Sequence, residues 1–82
     1  MAEKKLYVYY REEDDTTKCE IINGGEMVET YYSYGLGGIP NLARRIKGRI
    51  KDGYELILDK TSEGKYRILP WQERNDLQRL II

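Results

Sequence analysis

The sequence is poor in the residues that most often carry catalysis and metal binding. It has no histidine, and its only cysteine is Cys19. Histidine is the commonest general base and a frequent metal ligand, and a cysteine without a histidine partner is a weak nucleophile. A zinc site is not expected either, because zinc sites draw most of their ligands from these two residue types. We therefore predict that the protein is not an enzyme and that it holds no metal ion or cofactor.

Long apolar runs are also missing. No stretch of the sequence approaches the about 20 apolar residues that span a bilayer. The first residues lack the apolar segment and the small-residue cleavage site of a signal peptide. A single cysteine cannot form an internal disulfide, whereas small secreted domains usually contain several. These absences predict a protein of the reducing cytoplasm that does not contact a membrane.

The charges of the sequence are balanced in number but uneven along the chain. The 82 residues predict a single domain, residues 1–82, with 14 basic and 14 acidic side chains. Residues 1–38 carry four basic and eight acidic side chains, whereas residues 39–53 carry five basic and one acidic. The folded molecule is therefore expected to be electrically polarised, with one basic face.

The first part of the chain shows the pattern of strands joined by tight turns. Alternating apolar, aromatic and polar residues predict three strands. These strands are residues 5–11, 16–22 and 27–32. The acidic run at residues 12–15 and the Asn-Gly-Gly sequence at residues 23–25 are predicted turns, since Asn and Gly accept positive φ angles.

The second part of the chain begins with a helical pattern. Leu42, Ala43, Ile46 and Ile50 recur at helical spacing and predict an amphipathic helix over residues 41–52. Gly53 is suited to the left-handed position that ends a helix.

The remaining residues predict a hairpin and a last helix. Residues 54–60 and 65–69 are predicted to pair as strands, and the segment after Pro70 is predicted to form a short C-terminal helix, with Trp71 closing an edge of the core. The order is then β-β-β-α-β-β-α. It predicts a small α+β fold in which one antiparallel sheet is covered on one face by the amphipathic basic helix.

The predicted helix at residues 41–52 is the most basic segment of the chain. Its five cations are Arg44, Arg45, Lys47, Arg49 and Lys51. Like charges four residues apart destabilise an isolated helix, and the single acid, Asp52, lies at the unfavourable C-terminal end. One interpretation is a partner that neutralises this charge. The other is a solvated face whose cations pair with acids elsewhere in the fold, and the sequence does not separate the two.

Tyrosine is the second unusual feature, with eight copies in a chain that has no phenylalanine. Tyrosine is amphipathic and favours half-exposed surfaces and binding sites. Tyr31, Tyr32 and Tyr34 are candidate contact residues because they adjoin the glycine-rich residues 35–38. A glycine-rich loop before a helix can cradle phosphate, but the spacings of the known phosphate-binding motifs are absent. A flexible connection is therefore the favoured interpretation of the loop.

Two functions from different classes follow. The leading hypothesis is a non-enzymatic binding module whose basic helix and Tyr/Gly loop dock on an anionic partner, either nucleic acid or an acidic protein surface. The alternative is a regulator or inhibitor of a larger machine, acting through an exposed sheet edge or residues 31–34. Many phage-encoded accessory proteins are similar in size and composition. Self-association as a homodimer through a sheet edge is a third hypothesis.

Overall fold

The fold is a mixed four-stranded sheet with two helices. The computed structural model describes residues 3–34, 38–67 and 69–81. The elements of these ranges are β1 (Lys4–Arg11), β2 (Thr16–Asn23), β3 (Glu26–Tyr34), α1 (Gly38–Lys51), β4 (Glu55–Ile57) and α2 (Trp71–Ile81). No helix within the described ranges is long and apolar enough to cross a membrane.

The first three strands form two consecutive antiparallel hairpins at the positions that the sequence predicts. β1 pairs with β2 in a register that places Val8 opposite Cys19, and β2 pairs in turn with β3. Both turns use positive φ angles, at Asp15 (53°) in the first and at Gly24 (64°) and Gly25 (85°) in the second. Asp, Asn and Gly tolerate this conformation better than other residues, which explains why the acidic run and the Asn-Gly-Gly sequence mark the turns.

The fourth strand corrects the prediction of a purely antiparallel sheet. The strand order is β3-β2-β1-β4, and β4 runs parallel to β1. β3 leaves the sheet in the same direction as β1, and α1 carries the chain back along the sheet. The next strand therefore starts at the end where β1 starts, which makes the pair parallel. β4 is also shorter than the predicted residues 54–60.

The predicted pairing of residues 54–60 with residues 65–69 is reduced to one antiparallel bridge, between Lys60 and Tyr66, and the described part of 65–69 forms no strand. The hydrogen bonds of this bridge run from the Thr61 N–H to the Lys65 carbonyl (2.8 Å) and from the Arg67 N–H to the Asp59 carbonyl (3.0 Å). Gly64, with a φ of 86°, lies in the turn between the two halves. We call residues 58–67 the connecting segment. Residue 68 lies outside the described ranges.

The connecting segment is fastened to the sheet by a buried carboxylate. Glu20 is 4% exposed and alternates with Cys19, so it points to the opposite face of the sheet. Its oxygens accept hydrogen bonds from the Ser62 backbone N–H (3.2 Å) and from the Ser62 hydroxyl (3.1 Å). The Nζ atom of Lys18 lies 3.7 Å from the Oε2 atom of Glu20. Burial and the neighbouring Glu20 raise the pKa of the Tyr9 hydroxyl on the same face.

The core lies between the helices and one face of the sheet. It is built by Leu6, Val8, Cys19, Ile21, Ile39, Leu42, Ala43, Ile46, Tyr54, Leu58, Leu69 and Leu77. α1 contributes its apolar stripe, as its spacing predicts, but it begins at Gly38, ahead of the predicted residue 41. Pro40 is tolerated in the first turn because the N–H that proline lacks has no intrahelical partner there. Burial raises the pKa of the Cys19 thiol to about 12.

Trp71 does not close an edge of the core as predicted. It is the first residue of α2 and is 78% exposed. Leu77, the fully buried residue of α2, follows six positions later. At about 100° per residue the two side chains project from different sides of the helix, so the helix can bury only one of them.

Candidate functional site

The five cations of α1 fall into two groups. Arg45 and Arg49 lie against β3, where the Arg45 guanidinium is 4.4 Å from the centre of the Tyr31 ring. Arg49 forms an ion pair with Glu29 of β3. Its guanidinium also lies 5.7 Å from the centre of the Tyr54 ring. These two arginines therefore attach the helix to the edge of the sheet.

Tyr31 lies beside the Arg45 guanidinium and also beside the ion pair between Glu29 and Arg49. A hydrogen bond from its hydroxyl, followed by the hydrogen bond and charge of Arg49, lowers the pKa of the Glu29 carboxyl. Glu29 is thus held in its ionised form, in which it attracts Arg49. Of the predicted partner-binding residues, Tyr31, Arg45 and Arg49 are therefore already engaged within the fold.

The second group consists of Arg44, Lys47 and Lys51, which are exposed. Within residues 3–34, 38–67 and 69–81, no acidic side chain forms an ion pair with any of them. Their spacing of three and four residues places them in one row along the helix. The row is about 10 Å long at 1.5 Å per residue. We call these three residues the basic row.

A groove lies beside the N-terminal half of α1. It has a volume of about 550 Å³ and is lined by Thr30, Tyr31, Tyr32, Ser33, Gly38, Asn41, Leu42 and Arg45. One wall is the outer edge of β3, the last strand on that side of the sheet. Arg45 is the one charged side chain among these lining residues. The groove is therefore electropositive, and the helix macrodipole at the N-terminus of α1 adds to this potential.

Ser33 is a lining residue that the sequence analysis did not select. It is 5% exposed, and its hydroxyl has no hydrogen-bond partner within the described part of the chain. The side chain packs against Gly38, where an added Cβ would overlap Ser33 Oγ. The one signal in the sequence is a serine between tyrosines just before a glycine-rich run, and such a serine is common in loops of every kind.

Tyr32 and Tyr34 both belong to β3, but only the side chain of Tyr32 lies in the described part of the structure. Tyr32 is exposed, and the cations of Arg11 and Lys18 lie 5.7 and 5.6 Å from the centre of its ring. The backbone of Tyr34 ends β3, while its side chain and residues 35–37 lie outside the described part of the structure. The predicted Tyr/Gly loop falls largely on these residues.

A second, smaller cavity lies on the other face of the sheet. It has a volume of about 220 Å³ and is lined by both acids and bases, with Glu20 and Tyr9 at the sheet and Ser62 on the connecting segment. The hydrogen bonds from Ser62 explain how the Glu20 carboxylate can be buried. We therefore assign the residues around this cavity to the attachment of the connecting segment to the sheet. Among the residues that the structure describes, no three His, Cys, Asp or Glu side chains are grouped closely enough to hold a metal ion.

The α1 surface carries groups of the kinds that bind anions. The basic row offers charge to solvent, and the groove adds a guanidinium, a hydroxyl and a helix N-terminus. These groups attract and hydrogen-bond oxyanions. The chain matches no protein-family model, no curated protein and no solved structure. These comparisons therefore assign the chain to no family.

Proposed function

We propose that this protein is a non-enzymatic binding module whose helix α1 docks on the phosphate backbone of a nucleic acid. The observation that carries the proposal is the basic row, Arg44, Lys47 and Lys51, which is exposed and has no acidic partner among the described residues. Arg49 pairs with Glu29 and fits the interpretation of cations that pair with acids elsewhere in the fold. Arg45 stacks on Tyr31 and has no acidic partner among the described residues. The basic row has neither kind of contact within the described ranges, so it is the set of cations that we assign to an external anion.

The length of the basic row sets the size of the expected electrostatic effect. Successive phosphates of one strand are about 3.4 Å apart along a duplex, so a row of about 10 Å spans about three of them. Neutralising three phosphates of a single strand gives a slope of about −2 when the logarithm of the binding constant is plotted against the logarithm of the salt concentration. At this slope a rise from 50 to 200 mM salt lowers the binding constant about 16-fold.

The test is the binding of a fluorescently labelled single-stranded oligonucleotide, followed by anisotropy between 50 and 200 mM salt as the range in which phosphate contacts weaken. The variant carries Arg44→Glu, Lys47→Glu and Lys51→Glu. The matched control carries Lys60→Glu, Lys65→Glu and Arg79→Glu, three exposed residues outside α1, with the same change in net charge. We expect the variant to lose binding and the control to retain most of it. Equal binding by both proteins would refute the proposal.

A second candidate function is regulation of another protein by strand addition at β3. β3 is an edge strand of nine residues, and two of its apolar side chains, Met27 and Val28, are 48% and 52% exposed. An exposed edge with apolar side chains is a template for pairing with a further strand. Binding through this edge would depend little on salt and would be lost with Val28→Lys, whereas the basic-row variant would retain it. Sedimentation of the same two variants tests self-association through the edge.

A further inference from the structure

From the groove between β3 and the N-terminus of α1 we infer that this protein has a specific pocket for one phosphate group of the bound nucleic acid strand, formed by Ser33, Arg45 and the first turn of α1. The inference rests on the proposed function and adds to it a defined subsite with directional hydrogen bonds. The basic row supplies attraction without direction, whereas this pocket fixes the position of one phosphate.

The helix terminus is the first component. The initial N–H groups of a helix have no intrahelical acceptor, and they point toward an anion placed at the helix axis. In α1 these donors are the N–H groups of Gly38, Ile39 and Asn41, because Pro40 has none. The first turn of α1 contains no acidic side chain that could take this role. Asn41, whose side chain is exposed, lines the groove at the same end of the helix and can add an amide donor.

The Ser33 hydroxyl is the second component and is independent of the helix. A buried hydroxyl without a hydrogen bond destabilises a folded protein, so such groups are rare in the absence of a ligand. Ser33 lines the groove, and Gly38 permits its close approach to the start of α1. The hydroxyl is buried against Gly38, so a rotation of the Ser33 side chain toward the groove is needed for it to donate its proton to a phosphate oxygen beside the helix terminus.

Arg45 is the third component and supplies the charge. Stacking of its guanidinium on the Tyr31 ring holds the group at one wall of the groove. A stacked guanidinium keeps its N–H groups at its edge, where they can bind two oxygens of a phosphate. The two non-bridging oxygens of a phosphodiester carry enough lone pairs to accept from a guanidinium, a hydroxyl and a backbone N–H group together.

The position of the pocket favours a phosphate within a nucleic acid strand over a free phosphate ion. Arg44 of the basic row directly precedes Arg45 of the groove in α1, and Lys47 and Lys51 extend the positive charge of that row along the next two turns of the helix. A polymer of phosphates can occupy both at once. A single phosphate ion can occupy only the groove.

The experiment is a titration of ¹⁵N-labelled protein, first with inorganic phosphate and then with the single-stranded oligonucleotide, followed by two-dimensional NMR. We expect saturable shifts of the amide signals of Ser33, Gly38 and Ile39, and tighter binding of the oligonucleotide than of phosphate. Ser33→Ala is expected to weaken oligonucleotide binding about tenfold, because a hydrogen bond to a charged group is lost. Ser62→Ala makes the same chemical change on the other face of the sheet and should leave the affinity unchanged.

The outcomes separate this inference from the proposed function. If the basic-row variant loses the oligonucleotide while Ser33→Ala binds it as tightly as the wild type, the pocket is refuted and the proposed function stands. If phosphate shifts the groove amides but the oligonucleotide does not bind, the nucleic acid is refuted as the source of the phosphate, together with the proposed function. Amide shifts that do not saturate, or that are confined to the C-terminal half of α1, also refute the pocket.

Discussion

At the scale of single residues, the groove depends on a contact between Ser33 and Gly38. The side chain of Ser33 is buried against Gly38, and its hydroxyl has no partner in the described part of the chain. Glu20 is the opposite case, because Ser62 satisfies its buried oxygens. Two buried polar groups of similar exposure therefore differ in role, and the difference lies in their hydrogen bonds.

The first prediction concerns the stability of Ser33→Ala without ligand. Removal of a buried hydroxyl that lacks a partner relieves a desolvation cost, so the free energy of unfolding is expected to rise by about 1 kcal/mol. Ser62→Ala removes a hydroxyl that donates to Glu20 and is expected to lower it. Urea unfolding of the two variants checks both signs. A less stable Ser33→Ala protein would show that the hydroxyl already has a partner in the fold.

Only part of this site can be predicted from single residues of the sequence. The concentration of charge on α1 was evident from composition, as were the tyrosines beside it. The role of Ser33 was not evident from composition, because it depends on the burial of its side chain and on the approach of Gly38. Neither is a property of the local sequence. The orientation of Arg45 and Arg49 toward β3 was not predictable either, since it depends on which side of the helix the strand lies.

At the scale of elements, α1 has two surfaces with separate tasks. Its apolar stripe packs on the sheet, and Arg45 and Arg49 fix the helix beside β3 through Tyr31 and Glu29. The basic row points elsewhere. A change at Arg49 is thus expected to affect stability, and a change in the basic row is expected to affect binding.

The second prediction separates these two tasks. Arg49→Ala breaks an ion pair and a stacking contact and is expected to lower the melting temperature by about 2–4 °C, whereas Lys47→Ala should change it little. The oligonucleotide titration should show the reverse order of effects. A thermal melt of both variants at low salt makes the comparison, and equal melting temperatures would contradict a structural role for Arg49.

Prediction of the elements themselves succeeded where the pattern is local. The three N-terminal strands and both helices follow from alternation, helical spacing and turn residues. Local patterns contain no information about the partner of a strand, and for this reason the parallel pairing of β4 with β1 was missed. Residues 65–69 alternate like a strand, but their predicted pairing with residues 54–60 is limited to the bridge between Lys60 and Tyr66, and Ser62 of the intervening turn bonds to Glu20.

At the scale of the whole molecule, the described residues raise the pKa values of several groups that ionise at alkaline pH. Burial raises the pKa of Cys19 to about 12, and the hydrogen bond to Asp15 raises the pKa of Tyr10 to about 12. Burial also raises the pKa of Tyr9. In the unfolded chain these groups ionise at their ordinary values, so the folded state binds more protons than the unfolded state in alkaline solution.

The third prediction is a loss of stability above about pH 9. Because the folded protein retains the thiol proton of Cys19 and the unfolded chain releases it, the free energy of unfolding is constant below the ordinary thiol pKa and falls as the pH rises toward the folded value. The expected slope for this one group is about 1.4 kcal/mol per pH unit. Tyr9 and Tyr10 ionise in the unfolded chain near their ordinary pKa of about 10, so the free energy of unfolding falls more steeply above about pH 10. Urea unfolding at several pH values measures the slope.

Cys19→Ala provides the control for this pH dependence. The variant loses core packing and is less stable at pH 7, but its stability should decline less between about pH 9 and 10, because the thiol ionises at lower pH than the tyrosines in the unfolded chain. Parallel declines in the wild type and the variant would show that burial of Cys19 does not cause the effect.

The parallel pairing of β4 with β1 has a consequence for the protein as it is made. The two N-terminal hairpins leave the ribosome first and can pair at once, since their contacts are local. Their apolar face then awaits α1, and β1 awaits a strand that is synthesised only after the helix, with Lys5 pairing with Glu55. Until that strand emerges, β1 is an open edge of the nascent sheet, and the apolar face of the sheet is uncovered until α1 packs on it. Translation speed between β3 and β4 therefore sets how long the nascent chain is exposed to aggregation.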